Sequence, residues 1–371
     1  MLYKRVTSLI MLVIVIALGV GIIWQGFAGK HPFPDFTVKQ FIDGDFNYEL
    51  EHYAKENFVL KENLQSFAIG TKLLAGQTEQ QDIFIGNDIL IEDQPSPNDE
   101  YVDDNTNALL NFAKKSTVPV YAMLIPTKCA IQQQSLPEIE YISLFNQKEF
   151  MEKIYDKFSG KISSVDPYPT LFSNQNQYIY YKTDPNLTAL GGYYVYSVLA
   201  NRLNVGVRPI SDFSIEHINH KFYGQTFNRS PYKDINPDMI SIYHFDNNRY
   251  SYAVTHNKSE SSYTYNTLYP TQWSESDMPL NIYLGGNTGD INIKAYGGGN
   301  GRKLLVFGDD SMLPVITLLS TNYDEVRFID LSKLEPTEIY GIDVNYYDQV
   351  VFGYSIDTFT QTNNPSGIKY S

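Results

Sequence analysis

Cysteine is nearly absent. Cys129 is the one cysteine in 371 residues, so no intrachain disulfide and no cysteine-based metal cluster can form. Basic residues are also scarce: 28 Lys and Arg against 42 Asp and Glu leave a net charge of −14, which repels phosphate backbones and argues against a nucleic-acid partner. Histidine numbers six, which leaves few candidates for a general base near neutral pH. There is no internal repeat of fixed period and no low-complexity tract. Hydrophobic residues at 43% and charged residues at 19% are ordinary globular usage, which excludes a wholly disordered, collagen-like or coiled-coil chain. At about 150 residues per domain, the length suits two to three domains or one large one. Aromatics are what the chain has in plenty: 30 Tyr and 21 Phe suit a large β-rich core or, alternatively, polar surfaces that face sugars.

Long apolar runs are confined to one place. Residues 6–24, from Val6 to Trp24, carry no charge, and as a helix they would span about 28 Å. The run is longer than the core of a secretory signal, so an uncleaved anchor is expected, with Gly26-Phe27-Ala28 as the competing cleavage site. Lys4 and Arg5 precede it, and the positive-inside rule then puts the N-terminus in the cytoplasm and residues 30–371 outside. The expected organisation is an anchor with a short cytoplasmic tail over 1–28, a helical neck over 29–80 and an α/β domain over 81–371. An exported protein without disulfides suits a bacterial source.

Within the exported part, apolar residues from Leu50 to Phe67 recur near helical spacing. Ile83–Ile85 and Ile89–Ile91, separated by Gly86-Asn87-Asp88, read as a β-hairpin. Helices are then expected over about 100–115, 147–158, 188–203 and 314–320. Strands are expected over 118–125, 162–165, 303–307, 326–329 and 349–352. Alternating strands and helices imply a parallel sheet flanked by helices. The irregular Tyr-, Asn- and Ser-rich stretch over about 205–300 reads as a β-rich insertion.

In open α/β sheets functional groups gather outside the carboxyl ends of the strands. The strand at 303–307 runs into Gly308-Asp309-Asp310-Ser311 and then a helix. A serine there has an exposed hydroxyl near a helix start, where an oxyanion is stabilised. Capping of that helix by Asp309, Asp310 and Ser311 is the simpler use of the same residues. A second candidate is Tyr181-Lys182-Thr183-Asp184-Pro185-Asn186-Leu187-Thr188, in which Asp184 can orient a base or merely start a turn.

Taken together, these segments resemble the DHHW proteins, which are related to the alginate O-acetyltransferase components and to the wider SGNH hydrolases. The likeness runs in order through Phe58–Glu62, the hairpin at 83–91, Ile125-Pro126-Thr127-Lys128, Tyr180–Tyr196, Phe222-Tyr223-Gly224, Leu284-Gly285-Gly286-Asn287 and Lys303–Ser311. The resemblance implies an SGNH-hydrolase-like α/β fold, acyl (acetyl) modification of a cell-surface polysaccharide, no cofactor and no metal. It further implies a multi-spanning membrane acyl-donor protein as partner, Ser311 as nucleophile and Asp184 as the orienting acid. Asp310, Asn287, Gly286 and Lys128 are expected to line the substrate site. At the position of the family's catalytic histidine this chain has Asn186, and at that of its tryptophan Leu187.

A serine hydroxyl is a poor nucleophile near neutral pH unless a neighbouring base accepts its proton, and an Asn amide cannot do so. His217 and His220 precede Phe222-Tyr223-Gly224 and are the nearest substitutes in sequence; their i, i+3 spacing would suit a metal on a helix, without an evident third ligand. Two functions follow. One is a membrane-anchored acyltransferase or esterase, and the other is a non-catalytic relative that binds glycan or scaffolds an acylation complex. A histidine nitrogen within about 3.2 Å of the Ser311 hydroxyl separates them, because it would favour the enzyme.

Overall fold

The computed structural model describes residues 16, 19–21, 49–50, 53, 61–74, 79–80, 82–136, 144–232, 234–247, 250–257, 261–298, 300–335 and 342–370. The chain divides into two compact units, residues 1–76 with 231–233, and residues 77–230 with 234–371. In the first unit the described part is chiefly helix α1 (Lys61–Leu74). The expected membrane span over 6–24 lies outside the described residues apart from Ile16 and Gly19–Gly21. Among the described residues no helix is long and apolar enough to cross a membrane.

The second unit opens with the antiparallel strands β1 (Glu79–Gln80), β2 (Ile83–Gly86) and β3 (Ile89–Glu92). The predicted hairpin is there: Gly86 pairs with Ile89 across the turn, and Asp88 takes the positive φ of 57° that a tight reversal needs. Helix α2 (Asp99–Lys115) follows, capped by the Asn98 side chain, which accepts from the N–H groups of Glu100 and Tyr101. Then come β4 (Val120–Ile125), α3 (Lys128–Ile131), α4 (Gln147–Phe158), β5 (Ser163–Val165), α5 (Tyr168–Ser173) and α6 (Ala189–Arg202). Thr188 caps α6 by accepting from the N–H of Gly191.

The stretch read as an insertion forms β6 (Phe213–Phe222), α7 (Gln225–Arg229), β7 (Asp238–Phe245), β8 (Ser251–Asn257), β9 (Ser262–Tyr265) and β10 (Asp290–Tyr296). The chain closes with β11 (Lys303–Gly308), α8 (Leu313–Leu319), β12 (Glu325–Ile329), β13 (Gln349–Ser355) and α9 (Ile356–Gln361).

The central sheet has the order β5-β4-β13-β11-β12-β10-β8-β9. Its first five strands are parallel, as expected, but β10, β8 and β9 run antiparallel and extend the same sheet. The sheet is therefore mixed, and the insertion is built into it. Helices cover the parallel half on both faces. Leu304 and Val306 of β11 pack with Val195, Tyr196 and Leu199 of α6 and Ile316 of α8. Leu305 and Phe307 pack with Leu109 of α2, Ile154 of α4 and Phe359 of α9. Burial on both faces explains why these strands read as continuous apolar runs. The β6–β7 pair stands outside the main sheet as a two-stranded ribbon.

Candidate active site

Strand β11 ends at Gly308, and Asp309 turns the chain through a single 3-10 turn, Asp310–Met312, into α8. The Asp309 carboxylate accepts from the Ser311 N–H at 3.1 Å and from the Ser311 hydroxyl with the same oxygen. Its other oxygen accepts from the N–H and hydroxyl of Ser355, at the end of the neighbouring β13, at 2.9 and 2.8 Å. One strand over, Asp330 holds the N–H and hydroxyl of Ser332 at 2.9 and 2.6 Å. The capping use of Asp309 is thus realised, and it occurs twice along the carboxyl edge of the sheet. Asp310 plays no such part. It faces Asn287 Nδ2 and, at 3.3 Å, the Lys333 ammonium.

The second candidate segment lies opposite. Asp184 is buried; one carboxylate oxygen accepts from the Asn186 N–H (3.0 Å) and amide Nδ2 (2.7 Å), and the other from the Gln225 N–H (3.0 Å). Gly224 makes this closure possible, because a Cβ there would run into the Cβ and carboxylate of Asp184. The loop is fixed by two groups. Lys128 is buried and donates to the carbonyls of Tyr181 (2.8 Å), Asp184 (2.9 Å) and Lys182 (3.3 Å). Burial pushes its ammonium down to about 8, against the pull of the Asp184, Asp238 and Glu92 carboxylates. Asp238, fully buried on β7, accepts from Tyr178 OH, from the N–H groups of Lys182 (2.7 Å) and Thr183 (2.8 Å), and from the Thr183 hydroxyl.

Two clefts meet here. The first, about 310 Å³, is walled by Leu187, Phe222, Tyr223, Met278, Pro279, Leu280 and Leu313, with Asp184, Asp277 and Asp310 among its polar lining. The second, about 330 Å³, is walled by polar groups that include Thr127, Asp309, Asp310, Asp330, Ser355 and Asp357. Asn186, Leu187, Gln225, Asp310 and Ser311 belong to both. Both volumes lie in the range of small-ligand sites. Burial pushes the carboxyl groups of Asp330 and Asp357 above their usual range.

The predicted residues separate accordingly. Ser311, Asp184, Asn186, Asp310 and Asn287 line the first cleft together. Lys128 lines neither cleft, since its ammonium serves backbone carbonyls. Gly286 also lines neither; with φ of 89° it shapes the turn and packs on Asn281. Asn287 Nδ2 is divided between Asp310 and Asp330, the latter at 2.8 Å. Cys129 is buried among Phe84, Ile89 and Ile91, and burial pushes its thiol up to about 12, as for an inert apolar filler. Asp309, Gly224, Gln225 and Asp238 were not picked out as site residues. Asp309, adjacent to the Asp-Ser pair, and Gly224, in the family-like Phe222-Tyr223-Gly224, had a signal in sequence; Gln225 and Asp238 had none.

No described histidine lines either cleft. His217 and His220 lie on strand β6, not on a helix, and His217 Nδ1 pairs with Ser241 Oγ at 2.9 Å. His244 Nε2 pairs with Glu216 at 3.0 Å. His256 is buried; its Nε2 donates to the Leu284 carbonyl (2.7 Å) and its Nδ1 pairs with Thr288 Oγ1 (2.8 Å), which braces the turn carrying Asn287. His31 and His52 lie outside the described residues. No metal-binding group of His, Cys, Asp and Glu occurs among the described residues.

A serine beyond the carboxyl end of a parallel strand thus shares a cleft with a buried aspartate from another loop, in a mixed α/β fold. The chain belongs to the DHHW protein family, whose model matches residues 92–329. Its fold is similar to that of a DHHW family protein from Eubacterium siraeum, 21% identical, with a TM-score of 0.64 over 78% of this chain and 97% of that one. It is also similar to Bacillus cereus PatB1, solved with a sulfonyl adduct: 16% identity, TM-score 0.63, 75% of this chain and 97% of that one. No curated protein matches the chain.

Proposed function

We propose that this chain is an extracytoplasmic, membrane-anchored glycan-binding member of the DHHW class that serves acyl modification of a cell-surface polysaccharide. In this reading the Ser311 clefts hold the glycan, residues 6–24 anchor the chain, and a multi-spanning acyl-donor membrane protein is the partner. Family membership supports the polysaccharide-acylation setting. The observation that carries the binding role is the fate of the Ser311 hydroxyl: it donates to Asp309, and no described histidine lines its clefts. Asn186, in the place of the family's base, spends its amide on Asp184. Without an imidazole, the family's acyl-serine route retains only what binding and oxyanion contacts contribute, about 10³–10⁴-fold over water in the best-studied triads.

One observation favours a second reading, an esterase or transferase with Ser311 as nucleophile. The Ser311–Asp309 hydrogen bond gives the hydroxyl a carboxylate to which its proton can pass, though near neutral pH a carboxylate is a weaker base than imidazole. Labelling of the purified full-length chain with a fluorophosphonate probe, beside Ser311→Ala, decides between them. Folded wild-type protein that binds saccharide but takes no label fits the binding role. Label that disappears in Ser311→Ala overturns it in favour of the enzyme.

A further inference from the structure

The walls of the two clefts differ, and the difference bears on which glycan they accept. The first cleft offers an aromatic and aliphatic face, with Phe222, Tyr223, Met278 and Leu280. Such faces pack on sugar rings while polar groups read the hydroxyls. The charged lining is one-sided. Among the described residues Lys333 is the one cation in either lining, and its ammonium is already engaged by Asp310 at 3.3 Å, Asp330 at 3.7 Å and the Asn287 carbonyl at 3.3 Å. Asp184 and Asp309 are filled by internal donors. Asp277 in the first cleft and Asp357 in the second remain, and among the described residues neither forms an ion pair; Asp357 accepts from the Gln94 amide at 3.3 Å. The whole chain adds a net charge of −14. A polymer of uronates or phosphates entering these clefts meets a lining of net negative charge, whereas an ammonium meets carboxylates without an ion-pair partner.

We propose that the paired clefts select a glycan bearing free amino groups, with sugar rings on the Tyr223–Met278–Leu280 face and ammonium groups at Asp277 and Asp357. This rests on the glycan-binding reading and names its substrate class. The residues shared by both clefts make the wall at Ser311 continuous between them, so that one oligosaccharide can occupy both.

The test is calorimetric titration of the full-length protein with glucosamine, N-acetylglucosamine and uronate oligomers of equal length, and with an oligolysine matched in charge to the first. The glucosamine oligomer should bind about tenfold tighter than the N-acetylated one at low salt, and the uronate weakest. At 0.5 M salt, where charges are screened within about 4 Å, the preference should fall to about twofold. Asp277→Asn and Asp357→Asn should each reduce it about threefold at low salt, with an unchanged circular-dichroism spectrum and thermal melt as the sign that the variants are folded. Equal binding of the glucosamine and N-acetylglucosamine oligomers overturns the amine selection and leaves glycan binding standing. Tightest binding of the uronate, or oligolysine binding as well as the glucosamine oligomer, also overturns the selection. Failure of every saccharide to bind overturns the glycan reading itself.

Discussion

Replacing Lys128 by Met tests whether one buried ammonium holds the Asp184 loop. The two side chains are similar in length, so the change removes the charge and its hydrogen bonds more than it removes volume. At stake are donors to the carbonyls of Tyr181, Asp184 and Lys182 at 2.8, 2.9 and 3.3 Å. A buried acceptor left without a donor costs about 1–3 kcal/mol. Set against this is relief from burying a cation, whose proton affinity falls from 10.5 to about 8, equivalent to about 3 kcal/mol. At pH 7 the two effects largely offset, and Lys128→Met should lose no more than about 3 kcal/mol.

The pH dependence is the sharper measurement. Folded Lys128 releases its proton near 8 and the unfolded chain near 10.5, so unfolding takes up a proton in that window. The wild type therefore gains stability from this group as pH rises from 8 to about 10.5, and none below 8. The variant has no such group, and titrations elsewhere are common to both proteins. Urea unfolding at pH 7 and pH 10.5 should show the stability gap between wild type and variant widening by about 3 kcal/mol. A gap that stays constant, or narrows, would refute the assignment of a neutralisable buried ammonium at this position.

Gly224→Ala puts a methyl into Asp184 and should destabilise the protein by about 1–3 kcal/mol and abolish glycan binding, read from thermal melts and titration on the same preparation. Asp238→Ala strips the acceptor from two backbone N–H groups and two hydroxyls in a buried site, for a loss of about 3–5 kcal/mol by urea unfolding; a loss below about 1 kcal/mol would show the network is dispensable. Asn186→His, alone or with Leu187→Trp, should bring fluorophosphonate labelling to Ser311, since the new ring would stand beside Asp184 in the cleft that Ser311 lines. An unlabelled, folded double variant would mean that the Asp309 bond, and not the missing base alone, keeps the hydroxyl out of reaction.

The parallel half of the sheet was legible because its strands are covered on both faces and its longer helices, α2, α4 and α6, carry side-chain caps. Helix Gln147–Phe158 falls on its expected residues, and Thr188 starts α6 as its residue type suggested. The antiparallel strands were not legible. In Ser251–Asn257 only Val254 and His256 are buried, and in Ser262–Tyr265 none is fully covered, so polar residues dominate and the period-2 signal is faint. At the site, Ser311 and Asp184 could be read from local motifs, whereas Asp238 acts across more than fifty residues of intervening chain and has no local signature, and Gly224 sits in a family-like motif that does not show its contact with Asp184. Lys128 was expected at the substrate site from the resemblance; here three carbonyls draw it inward.

The segment between residues 205 and 300 departs most from a plain α/β pattern, and it would be the natural unit to exchange in making chimaeras between relatives. Its place in the sheet rules that out. Three of the eight strands of the central sheet, the glycine that admits Asp184 and the aspartate that accepts from the Lys182 and Thr183 N–H groups all come from this segment. A graft would have to carry the 178–188 loop and the pairing edge of β12 with it. In this chain, specificity at the site therefore has to be altered by substitution within the scaffold, and cannot be transplanted as a cassette.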